Sequence, residues 1–168
     1  GARAAGPVFG LAPAARGRKL RLPAHASPMR PPMPGTVRLH RVLACPPEKV
    51  FRAFTEADAY AAWLPPFGFT ARVNRMDARV GGGFHMAFRN FTTGHEHSFG
   101  GEYLELVPGA RIRHSDRFDD PGLPGEMMVT IEMAAVSCGT DLRITQEGIP
   151  DVIPPEACYL GWQESLQK

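Results

Sequence analysis

The sequence predicts an α+β domain: one strand, a pair of short helices, a meander of antiparallel strands and a final helix. Three observations carry this. Apolar residues recur at helical spacing in two places, after Cys45-Pro46-Pro47 and after Pro154-Pro155. Between them, Phe69 to Glu147 reads as short alternating segments separated by turns rich in Gly and Pro. An antiparallel sheet with one apolar face needs a helix to cover it, and the last helix is placed to do so.

Residues 36 to 44 show broken alternation and stop at Cys45-Pro46-Pro47, which predicts a first strand ended by proline. In the segment that follows, Val50, Phe54, Ala57, Ala61 and Leu64 keep helical spacing. Thr55 followed by Asp58 is a capping-box pattern, so two short helices with a break near Thr55 are expected, the second ended by Pro65-Pro66. FTARVNRMDA then leads into Gly81-Gly82-Gly83, and the next strand places Phe84, Met86 and Phe88 on one face. Turns are expected around Gly94, at Pro108-Gly109, through the loop DDPGLPGE and at Ser137 to Gly139. These divide the stretch into at least five strands. After Gly148 a helix starts near Pro154-Pro155, with Tyr159, Trp162 and Leu166 as its apolar stripe.

The charge is unevenly spread. The 168 residues sum to +2, yet Arg3, Arg16, Arg18, Lys19, Arg21 and Arg30 all precede Thr36 and no acidic residue occurs before Glu48. The rest carries 13 basic against 17 acidic side chains, a net −4, which argues against nucleic acid as its partner. Residues 1–35 read as a disordered basic arm rich in Pro, Gly and Ala, and the chain's start at Gly1 leaves their native status open. No run approaches a membrane span. Cys45, Cys138 and Cys158 are odd in number and widely spaced, which excludes a disulfide scaffold and suits a cytoplasmic protein.

Several strings carry a resemblance: CPPEKVFRAFTEADAYAAWLPP, VGGGF at Val80 to Phe84, GHEHSFGGEYLELVPGARI, CGTDLRI and YLGWQESL. Residues 36–168 resemble the START-like (SRPBCC) helix-grip superfamily of lipid-transfer domains, plant allergens and polyketide cyclases. The similarity is greatest to the bacterial branch related to the activator of the 90-kDa heat-shock protein ATPase. The resemblance implies a curved sheet gripping a C-terminal helix, with an apolar cavity of a few hundred cubic ångströms between them. It also implies a longer last helix than the 14 residues, about 21 Å, that follow Pro154.

Toward that cavity, Trp63, Phe67, Phe84, Met86, Phe88 and Trp162 offer large apolar surfaces, with Trp63 and Phe67 placed to gate an entrance. Tyr103 and Glu105 share a strand face and could supply a hydroxyl and an acceptor; equally, Glu105 could be an exposed partner of Arg111 or Arg113. His114 and Asp116 alternate along another strand and are the candidate catalytic or ligand-orienting pair. His95 and His97 form an HxH pair able to hold a metal if His85 or His114 adds a third ligand. Gly81 to Gly83 lacks the Lys-Ser/Thr of a phosphate loop, and no motif calls for a cofactor. Three functions follow in order: binding of a small hydrophobic or aromatic molecule, cyclase- or hydrolase-type catalysis by His114 and Asp116, or a protein-interaction module with a chaperone or a second copy as partner.

Overall fold

The computed structural model describes residues 35–168. The basic arm expected over residues 1–35 lies outside the described residues except for Gly35, which opens the first strand. The order is β1 (Gly35–Leu43), α1 (Pro47–Thr55), α2 (Ala57–Trp63), β2 (Phe69–Met76), β3 (Gly83–Asn90), β4 (Glu96–Val107), β5 (Arg111–Phe118), β6 (Met127–Val136), β7 (Gly139–Ile149) and α3 (Pro155–Ser165). All seven strands join one antiparallel sheet in the order β1-β7-β6-β5-β4-β3-β2. Strands β2 to β7 are a meander, and β1 crosses over to pair with β7.

The helices occupy one face of this sheet. From α1, Val50 and Phe54 are buried, and from α2, Tyr60. The break between the two helices falls at Glu56, whose backbone is extended (φ −99°, ψ 125°). The capping box is absent: the Thr55 hydroxyl instead donates to the Phe51 carbonyl one turn back, at 2.9 Å, because Thr55 still belongs to α1. Along α3 the buried face is Cys158, Gly161, Trp162 and Ser165. Tyr159 lies off it, 45% exposed, so the expected stripe is rotated by about one residue. No helix among the described residues is long and apolar enough to cross a membrane.

The pairing of β4 with β5 is irregular, with Gly101 and Glu102 outside the regular register. A Cβ on Gly101 would collide with the carbonyl oxygen of Ser115, and one on Gly100 with that of Phe84. These two glycines let neighbouring backbones approach more closely than a side chain permits. The register also shifts between Tyr103 and Glu105. That irregularity turns Tyr103 inward, to 2% exposure, while Glu105 pairs with Arg111 at 3.2 Å. Of the two readings of Glu105, the ion-paired one holds.

Candidate functional site

A cleft opens between the inner sheet face and α3. Its walls are largely apolar: Leu64 and Pro66 after α2, Phe88 and Phe99 from β3 and β4, Val129 from β6 and Trp162 from α3. Besides the Trp162 indole, five side chains bring polar groups: Ser165, Tyr60, His114, Asp116 and Gln146. The last three sit at inward parity on their strands. On β5 the alternation Ile112, His114, Asp116 puts two titratable groups where apolar ones are usual, and on β7 Leu142, Ile144, Gln146 does the same with an amide. The cleft is partly open to solvent, with a cavity volume of about 60 Å³ and an empty space, open solvent included, of about 480 Å³. That cavity volume is far smaller than the expected few hundred cubic ångströms, and the large rings of Phe88, Phe99 and Trp162 stand in its wall.

Most of the hydrogen bonds at the wall are internal. Trp162 Nε1 donates to Gln146 Oε1 at 2.9 Å, tying α3 to β7, and Gln146 Nε2 faces the Met127 sulfur at 3.2 Å. The Ser165 hydroxyl lies 2.5 Å from the Leu64 carbonyl and 2.8 Å from that of Gly161. His114 Nδ1 is 2.9 Å from the Ser115 carbonyl, so this nitrogen carries the hydrogen and Nε2 is left as an acceptor. Asp116 Oδ1 is buried and has no hydrogen-bond partner.

The remaining candidates from the sequence fall elsewhere. Trp63 packs edge-on against Phe54 (4.7 Å between centroids), gives its Nε1 hydrogen to the Ala53 carbonyl, and lines a separate apolar groove of about 260 Å³. Phe67 is 56% exposed, its N–H bonded to Glu164. Pro66 and Leu64, not these two aromatics, flank the cleft. Phe84 and Tyr103 stand behind His114, at 5.0 and 6.0 Å, and Met86 is wholly buried. The metal pair is not assembled: His95 lies exposed before β4, and His97 is set among the rings of Phe69, Phe88, Phe99 and Phe118. His85, a potential third ligand, is held between Asn74 and Asp119. Among the described residues no group of three or more His, Cys, Asp or Glu side chains is placed to hold a metal ion.

Comparison with known proteins places this architecture. Residues 44–168 match the family described as Activator of Hsp90 ATPase homolog 1-like protein. The chain belongs to that family. A Chromobacterium violaceum protein of solved structure is 64% identical to this family member, over 79% of this chain and 92% of that one, with a TM-score of 0.78. A Rhodobacter sphaeroides protein (22% identity, 79% and 87% coverage, TM-score 0.69) and a Silicibacter pomeroyi AHSA1 protein (20%, 79% and 93%, 0.69) share the fold. Among curated proteins none matches the sequence.

Burial sets the electrostatics of this Activator of Hsp90 ATPase homolog 1-like domain. Desolvation lowers His114 from the ordinary 6.5 to about 4. His97 is lowered likewise to about 4, by desolvation first and the neighbouring His95 second. Desolvation raises Asp116 from 3.8 to about 7. Between pH 4 and 6.5 each of these histidines takes up a proton only when the chain unfolds, whereas Asp116 loses one. The two histidines outweigh the single carboxyl, so the unfolded chain binds about one proton more. Stability should therefore rise with pH across that window, by up to about 1.4 kcal/mol per pH unit. Urea unfolding of the wild type, Asp116→Asn and His114→Gln between pH 4.5 and 6.5 measures this. Asp116→Asn should steepen the slope to about twice that, and His114→Gln should flatten it. A slope indifferent to both substitutions would refute the assignment.

Proposed function

We propose that this chain binds a small, largely apolar molecule, one end of which is enclosed between the sheet and α3 while the rest occupies the mouth beside Pro66. The observation that carries this reading is Asp116: a carboxyl oxygen buried without a partner, at the end of a cleft whose other walls are mostly apolar. Leaving such an acceptor unpaired costs about 1–3 kcal/mol, and a bound molecule that pairs with it recovers that cost. A ligand site typically joins an apolar body to a few convergent polar groups, and this cleft has that composition. The groove beside Trp63 is larger but lacks such a group, since the Trp63 N–H is already bonded.

The test uses toluene as an apolar probe. At ten times its Kd, toluene should raise the melting temperature of the wild type by about 4 °C. Val129→Leu, which adds a methylene group to the cleft wall, should weaken binding at least tenfold while the variant melts as cooperatively as the parent. Equal binding by the two proteins would place the probe outside the cleft.

A second reading, acid–base catalysis of the cyclase or hydrolase type, is favoured by one observation. His114, neutral at pH 7, and Asp116, titrating near pH 7, line the same cleft. A base and an acid of this kind suit proton transfer on a bound substrate. This reading requires a turnover that His114→Ala removes.

A further inference from the structure

We propose that the ligand presents a hydroxyl group, as an apolar alcohol or a phenol, to Asp116 and Tyr60, and that Asp116 is the residue that selects it. This rests on the reading of the cleft as a ligand site and adds the chemical class of its occupant.

The choice follows from which donors and acceptors at the wall are already used. The Trp162 indole hydrogen is spent on Gln146, and the Ser165 hydroxyl faces the Leu64 and Gly161 carbonyls. Those groups have nothing further to donate to a guest. The acceptors are in the opposite position: Asp116 Oδ1 is buried and unpaired, and His114 Nε2 is left with its lone pair because Nδ1 faces the Ser115 carbonyl. A guest that offers only acceptors, such as a ketone or an ether, leaves the ionised Asp116 carboxylate no better satisfied than an empty cleft does. A guest with an O–H or N–H group satisfies it.

Tyr60 narrows the class further. It lines the same cleft as Asp116. Its phenol can donate as well as accept. A hydroxyl guest gives its hydrogen to Asp116 and takes one from Tyr60 with a single oxygen. An ammonium guest has three hydrogens and no lone pair, so it cannot accept from Tyr60, and it must give up its hydration in a largely apolar cleft. The apolar body of the guest lies against Phe88, Phe99 and Trp162.

The experiment compares phenol, toluene and benzylammonium by calorimetric titration at pH 8.5, where Asp116 is ionised, on the wild type, Asp116→Ala and Asp116→Asn. Phenol should bind the wild type about tenfold more tightly than toluene, the effect of one hydrogen bond to an otherwise unpaired buried acceptor. Asp116→Ala should reduce that ratio to within about twofold without weakening toluene. Asp116→Asn keeps a carbonyl acceptor at the same place and should retain most of the ratio, which separates loss of the acceptor from a general disturbance of the fold. Phenol and toluene binding alike, benzylammonium binding most tightly, or a phenol preference that survives Asp116→Ala would each overturn the proposal while leaving the cleft a ligand site. Binding of none of the three would overturn the ligand-site reading itself.

Discussion

Replacing Gly101 by Ala should cost this protein about 3 kcal/mol or more and lower its melting temperature by about 10 °C. Gly101 lies where β4 crosses β5, and the built methyl group falls 2.5 Å from the Ser115 carbonyl carbon and closer still to its oxygen. Both are backbone atoms, so no side-chain rotation relieves the clash. Relief requires β4 and β5 to separate there, and the two residues that follow Ser115 and Gly101 in these strands, Asp116 and Glu102, move with them. The substitution should therefore distort the cleft as well as destabilise the sheet. Gly81→Ala is the control: it too replaces a glycine, with positive φ (78°), but its Cβ meets nothing within 4 Å, so its cost is conformational alone, about 1 kcal/mol. Thermal melting followed by circular dichroism distinguishes the two, and equal small shifts would show that the close approach of β4 to β5 is not required.

Trp162→Ala should cost about 3–5 kcal/mol, the range for removing a large buried aromatic. Trp162 is 9% exposed and joins α3 to the sheet both by its ring and by the indole hydrogen bond to Gln146. Trp162→Phe keeps most of the ring and loses the bond, leaving Gln146 Oε1 without its donor, and should cost about 1–3 kcal/mol. Urea unfolding of the three proteins gives both numbers. A loss under about 1 kcal/mol in Trp162→Ala would mean that α3 is not held by this contact.

The fold was legible because each element boundary has a local cause. Pro46-Pro47 and Pro154-Pro155 start helices, Pro108-Gly109 and Ser137-Cys138 reverse the chain, and the strands between them alternate. His114 and Asp116 could be read as site residues for the same reason: they are polar residues at the inward parity of a strand. Gln146 sends the same signal on β7, after Leu142 and Ile144, and went unread. Tyr60 and Phe99 had no such signal, since an aromatic at core parity is usually core. What lay beyond the sequence were properties of pairs of strands. The irregularity between Tyr103 and Glu105 breaks the parity that placed both on one face, and it depends on how β4 meets β5. Cleft volume is likewise set by how rings from three different elements interleave. Trp63 illustrates the point: its spacing puts it on the helix pair, but the Ala53 carbonyl and Phe54 ring draw it to the other side.

The central claim is that the space between sheet and α3 is occupied by a small molecule in the protein's working state. Native mass spectrometry of protein purified from its own organism under non-denaturing conditions tests this most directly. The claim predicts a one-to-one mass increment on the wild type, lost on acid denaturation and absent from Val129→Leu purified in the same way. A wild-type spectrum showing only the mass of the polypeptide, or an increment retained equally by Val129→Leu, would contradict it.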